Sequence, residues 1–206
     1  MTVIFAVLFV VSTMIAAAGW LAYATKGEGP AQVAGGPEPV VSPARSGWSK
    51  VELSDVGISF ESPKKVRKIP PEKYSDARSY ISEYAAYRFG DESLSGEIAL
   101  WVYDEEYPVE DYVAREIDYF RDFDEDATVK RTERSLQGRP VIELRISYRY
   151  EGEKQRAYCI YWGEDETITY MRLFWYDDDD LGASKSKRVS ESLRFLDGSD
   201  PVPSKT

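Results

Sequence analysis

Carboxylates recur at alternate positions in the stretch RDFDEDATVKRTE, residues 121–133, at Asp122, Asp124 and Asp126, and Glu133 falls twelfth counted from Asp122. An EF-hand calcium loop takes ligands from its first, third, fifth and twelfth positions, and Val129 supplies an apolar eighth residue. Two positions break the pattern. The sixth, where the loop needs glycine for a sharp turn, is Ala127, and the ninth is the cation Lys130. The exit is also wrong, because TVKRTERSL alternates like a strand where an EF-hand requires a helix. The stretch therefore reads as a helix end running into a strand through an acidic corner. Carboxylates are unfavourable at the negative end of a helix dipole. The corner is expected either to stay hydrated or to recruit Lys130, Arg131 or Arg134.

Three further groups of residues carry potential chemistry. Asp177–Asp180 could hold a divalent cation, but side chains adjacent in sequence rarely converge on one ion; capping the helix that follows is the expected role. Cys159 lies in AYCIYW with no basic neighbour, which predicts an inert, buried thiol. Arg145, Arg149 and Arg156 fall on one face of a strand meander. They are expected to pair with Glu143 and the acidic loops, the rival reading being a basic patch for an acidic partner. The chain has no histidine, which removes Ser-His-Asp and Cys-His nucleophile systems and His-ligated zinc. No catalytic residue, cofactor ligand or metal ligand is assigned.

The whole chain has 206 residues, with 26 basic and 36 acidic side chains and a net charge of −10. Such an acidic surface repels phosphate backbones, so nucleic acid is not an expected partner. The single cysteine permits no intrachain disulfide. From Val3 to Ala24 the chain is free of charged residues, and Trp20 and Tyr23 lie near one end. A helix of about 20 apolar residues spans a bilayer, and aromatic residues favour its interfaces. Residues 1–25 are therefore expected to be a transmembrane anchor, with residues 3–24 in contact with the membrane. A cleaved signal peptide is the alternative: Ala22-Tyr23-Ala24 has the small-x-small pattern, although a basic n-region is missing. With no cysteine directly after the apolar run, a lipid anchor there is not expected. Lys26 after the span argues for a cytoplasmic domain by the positive-inside rule, but Glu28 stands beside it.

Residues 26–47 are rich in proline and glycine and read as a linker. The globular domain is expected over residues 48–197 and a flexible tail over 198–206. Within the domain, SKVEL and ISFES suggest a hairpin, with KKVRKI extending its edge. SYISEYAAYRF and GEIALWVY predict two longer strands. Apolar residues at Val109, Tyr112, Val113, Ile117 and Phe120 have helical spacing. Four strands follow, at about 128–136, 141–150, 155–162 and 167–176, and a last helix at about 180–192. The connections QGRP, EGEK and GEDE are short enough for antiparallel neighbours. Taken as four-residue loops, the last two set Tyr150 opposite Gln155 and Trp162 opposite Thr167. One face then carries Leu144, Ile146, Tyr148, Cys159, Tyr161, Ile168, Tyr170 and Phe174; the other carries Tyr158, Ile160, Trp162, Met171, Leu173 and Trp175. Both faces are apolar, which predicts cover on both sides.

This order of elements resembles the PsbP-like fold family. The resemblance rests on GISFESP before the central helix, YPVEDYVAREI opening it, SLQGRPVIEL in the meander, and a terminal helix leading into SESLRFL. The family includes the extrinsic photosystem II subunit that names it and DcrB-type bacterial envelope proteins. The resemblance implies an α+β, α/β/α sandwich with a largely antiparallel sheet flanked by helices, here preceded by a transmembrane helix. It implies a docking or stabilising role without catalysis, and an extracytoplasmic location. The function expected is a membrane-tethered, non-catalytic interaction module of the cell envelope with a protein partner. The alternative is a divalent-cation-binding protein or carboxylate-dependent enzyme using the acidic loops.

Overall fold

The structure, a computed structural model, describes residues 39–43, 47–70 and 81–196. The expected anchor over residues 3–24, most of the expected linker and the tail over 198–206 lie outside the described residues. Among the described residues, no helix is long and apolar enough to cross a membrane.

Eleven strands and two helices are described: β1 (Val40–Pro43), β2 (Ser49–Leu53), β3 (Ile58–Ser62), β4 (Arg67–Lys68), β5 (Ile81–Gly90), β6 (Ser95–Tyr103), α1 (Val109–Phe123), β7 (Thr128–Leu136), β8 (Arg139–Tyr150), β9 (Glu153–Glu164), β10 (Thr167–Tyr176), α2 (Asp180–Ser192) and β11 (Arg194–Phe195). The main sheet has seven strands in the order β4-β5-β6-β10-β9-β8-β7, with every neighbouring pair antiparallel. The chain leaves β6 and crosses one face of the sheet as α1. It starts again at the far edge with β7, and three hairpins bring it back until β10 closes against β6.

Those hairpins are tighter than expected. The turns are two-residue, Glu151-Gly152 and Asp165-Glu166, so Tyr150 pairs with Glu153 and Glu164 with Thr167. In Glu151-Gly152 both residues have positive φ (52° and 88°), the primed-turn geometry that matches strand twist. Each register is displaced from the expected one by two residues. Because side chains alternate with period two, that displacement leaves every face assignment unchanged.

The face bearing Leu144, Ile146, Tyr148, Cys159, Tyr161, Ile168 and Tyr170 packs against α1 through Tyr112, Val113 and Phe120. The opposite face bears Tyr158, Ile160, Trp162, Met171 and Leu173 and forms a second core. Its cover corrects the expectation of a simple α/β/α sandwich. One part is α2, which contributes Val189. The other is a separate four-stranded antiparallel sheet, β1-β2-β3-β11, which contributes Val51, Leu53, Ile58 and Phe60. Those four side chains alternate along two paired strands, so the small sheet buries one face and packs sheet on sheet. Two other expectations change. Val40–Pro43, in the stretch read as linker, pairs with β2. Arg67–Lys68 pairs with β5 in the main sheet and does not extend the hairpin edge.

Candidate functional site

The acidic corner after α1 is organised by backbone, not by cations. Asp124 terminates the helix, and its amide donates to the Phe120 carbonyl at 3.0 Å. Its Oδ1 accepts from the Asp126 amide at 3.1 Å and its Oδ2 from the Arg149 amide at 2.6 Å. None of the three cations expected there pairs with Asp122, Asp124 or Asp126: Arg131 pairs with Glu133 at 2.8 Å, Arg134 with Glu143, and Lys130 with no carboxylate among the described residues. Asp122, Asp124, Asp126 and Glu133 do not converge. Among the described residues, no three histidine, cysteine or acidic side chains come together in a way that could hold a metal ion.

The second acidic run behaves as expected. Asp179 caps α2, accepting from the Gly182 amide at 2.9 Å, and Asp177 holds the Arg156 guanidinium. Cys159 is completely buried, and that burial, with Glu116 nearby, pushes its thiol up to about 12 against the pull of Arg172. At neutral pH it is neither charged nor accessible.

Beneath α1 lies a polar cluster that the sequence reading missed. Arg172 on β10 donates to Glu116 and, at 3.0 Å, to the Tyr112 hydroxyl, both on α1. Its guanidinium stacks on the Tyr170 ring, 4.0 Å from the centroid. Tyr170 in turn donates to Glu97 at 2.8 Å, and Arg88 approaches the other oxygen of Glu97 at 3.4 Å. Arg172, Glu116 and Glu97 are each buried. Burial pushes the Glu116 carboxyl up while Arg172 pulls it down. The signals existed: Arg172 interrupts the apolar run TYMRLFW, and Glu116 falls on the apolar stripe of its helix. The cluster is closed to solvent, so it acts as a structural lock between helix and sheet.

The opposite face is different. The small sheet reaches β9 through Phe195 on Trp162 but leaves part of β7, β8 and β9 uncovered, and α2 runs along one side of the opening. The result is a groove of about 970 Å³. Alternation brings one face of each strand to its floor. Lys130, Arg145 and Tyr158 are consecutive cross-strand partners, and the next row is Thr128, Ser147, Arg156 and Trp175. Glu143 is buried at the centre, holding Arg134 and accepting from the Tyr158 hydroxyl at 2.5 Å. Arg145 stacks over Tyr158 at 5.5 Å and is 3.9 Å from Glu143. Lys187 and Glu191 of α2 form the wall, themselves 3.9 Å apart. Of the three arginines singled out in the sequence, Arg145 and Arg156 meet here and pair with acids as expected. Arg149 does not line the groove and contributes its backbone amide to the acidic corner. The groove offers cations on an aromatic floor, an arrangement suited to binding anionic groups.

No protein-family model and no curated protein matches this sequence. The fold does have solved relatives. Cyanobacterial PsbP from Synechocystis superposes with a TM-score of 0.50 at 12% identity, over 75% of this chain and 98% of that one. The chain thus has a PsbP-like fold. Looser likenesses include a Pseudomonas aeruginosa protein of unknown function described as a putative regulator (TM-score 0.40, 11% identity, 73% of this chain and 92% of the other). Another is LpqN of Mycobacterium tuberculosis, involved in cell envelope biogenesis (0.37, 10%, 77% and 84%).

Proposed function

We propose that this protein is a membrane-tethered, non-catalytic interaction module of the cell envelope that docks on a protein complex and helps it assemble or remain stable. The observation that carries this reading is the contrast between the two faces of the main sheet. The face under α1 locks its buried charges into a closed core, whereas the groove face presents charged and aromatic side chains to solvent with no histidine and no reactive thiol among them. Such a surface binds without chemistry. The apolar run over residues 3–24 supports the tether, and the PsbP-like fold supports a docking role. The extracytoplasmic placement of the domain belongs to the same reading.

Affinity capture of the full chain from its own membranes is the direct test. Specific, stoichiometric recovery of a partner is expected; recovery of nothing beyond a mock capture would sink the reading. Protease added to cells whose cytoplasmic membrane is intact is expected to reach the globular domain, with the chain otherwise held at the membrane; protection of the domain would place it on the cytoplasmic side. Titration with calcium, magnesium or manganese is expected to give no binding heat and no shift in melting temperature, because Asp124 is engaged by backbone amides, Asp179 by helix capping and Asp177 by Arg156, and the acidic side chains of the described residues do not converge.

A further inference from the structure

We propose that the groove between α2 and strands β7–β9 binds a short acidic peptide segment of a partner protein, with Lys130 and Arg145 as its principal anchors. This rests on the interaction-module reading and specifies the chemistry of the partner.

The first argument is an imbalance of charge fixed by the fold. Five cations and two carboxylates line the groove of a chain whose net charge is −10. The pairings within the groove do not remove this excess. Glu143 serves Arg134 and the Tyr158 hydroxyl, and Asp177 holds Arg156 at the mouth. Arg145 reaches Glu143 only at 3.9 Å, and among the described residues Lys130 pairs with no carboxylate. Lys130 and Arg145 are direct cross-strand partners. Like charges in that position repel at a Cβ separation of about 4.5–5.5 Å. The sheet therefore holds two cations side by side, Lys130 without a carboxylate among the described residues and Arg145 sharing Glu143 with Arg134 and Tyr158, and a carboxylate placed between them would relieve both.

The second argument is preorganisation. The Arg145 guanidinium is stacked on Tyr158, and Tyr158 is itself fixed by Glu143. Binding an anion then orders little that is not already ordered. Tyr158 and Trp175 provide apolar contact for the stem of an acidic side chain or for its neighbours.

The third argument decides among anions. The Debye length at physiological salt is about 8 Å, so a segment confined to the groove responds to the local cations. A nucleic acid or an anionic bilayer extends well beyond the groove and meets the acidic remainder of the surface. A short run of Asp and Glu in a protein is the polyanion that avoids this penalty.

The test uses the purified full chain in neutral detergent micelles and a fluorescein-labelled ten-residue peptide alternating glutamate with serine, read by fluorescence anisotropy. Lysine–serine and glutamine–serine peptides are the controls, and vesicles containing phosphatidylserine are a separate arm. The glutamate peptide is expected to bind at least tenfold more tightly than either control and to weaken as salt rises. The Lys130→Glu/Arg145→Glu double variant is expected to lose at least tenfold. Lys65→Glu/Arg67→Glu, exposed cations away from the groove with the same charge change, is expected to lose less than twofold. Equal losses in the two variants, no binding of the glutamate peptide at low salt, or groove-dependent binding to the vesicles in its place would each overturn the assignment. Melting temperatures of both variants establish that they fold; if the double reversal unfolds the chain, Lys130→Gln/Arg145→Gln is read in the same way. A partner still captured at full yield by the folded groove variant would leave the module reading standing and refute the groove as its contact.

Discussion

Arg172 and Glu116 show how a single pair sets the relation between helix and sheet. Both are buried, so their ionic contact contributes less net stability than its proximity suggests, because desolvating two charges offsets the attraction. Removing only one is another matter. Glu116→Leu leaves a buried guanidinium without its carboxylate and is expected to lower stability by about 3–5 kcal/mol in urea denaturation. Glu116→Leu combined with Arg172→Leu is expected to recover most of that loss, which a double-mutant cycle would measure directly. Asp91 is a milder case. Burial pushes its carboxyl up, but the Lys185 ammonium at 2.7 Å and the amides of Ser93 and Leu94 outweigh that, so it lies below the usual carboxylate range. A depressed carboxyl contributes stability that is fully present above its unfolded value of about 4 and is lost as pH falls through the folded value. Asp91→Asn is therefore expected to cost about 1 kcal/mol at neutral pH and to flatten the fall in stability below pH ~4, in melts taken across that range.

At the scale of elements, α2 is held at its start by two features of one turn. Asp179 caps the helix, and Asp179→Ala is expected to cost about 0.5–2 kcal/mol. Gly182 sits where a Cβ would lie 2.4 Å from the Ser93 carbonyl oxygen and 2.7 Å from the Trp175 Cβ. Helix propensity alone would favour alanine there by about 1 kcal/mol. The backbone oxygen cannot withdraw, so Gly182→Ala is expected to destabilise by about 1–3 kcal/mol in thermal or urea melts, reversing the sign propensity predicts. The same close approach positions α2 as the groove wall. Strand β7, at the free edge of the main sheet, exposes Lys130, Arg131 and Arg134. Cations on an edge discourage pairing with a second copy of the same strand, so this edge is guarded against self-association while its inner face remains charged for an acidic ligand.

For the whole molecule, the small sheet is not an appendage. Phe60 packs on Phe89 of the main sheet at 4.9 Å between ring centroids, and both belong to the core shared by the two sheets. Unfolding followed by tryptophan fluorescence and by far-ultraviolet circular dichroism is expected to give one coincident transition over the described region. Two separated midpoints would mean that the small sheet detaches first. Phe60→Ala is expected to shift both signals together, by about 3–5 kcal/mol.

The sequence by itself determined most of what is local. The strands of the meander, both helices and the two faces of the main sheet follow from alternation and helical spacing, because periodicity records which side of an element avoids water. A two-residue error in hairpin register left those faces intact for the same reason. The acidic runs were also legible as corner and cap, since helix dipoles and glycine requirements are local rules. Only the tertiary structure decided the rest. Nothing in the alternation of Val51, Leu53, Ile58 and Phe60 says that they form a second sheet, because a strand pattern marks a buried face without naming what covers it. Arg172 and Glu116 lie 56 residues apart, and their pairing depends on how α1 crosses the sheet. The groove arises because the small sheet covers only one end of β7–β9 and Gly182 lets α2 settle beside the opening. Lys130 and Arg145, two unremarkable surface charges in the chain, become partners there because antiparallel registry places them opposite each other.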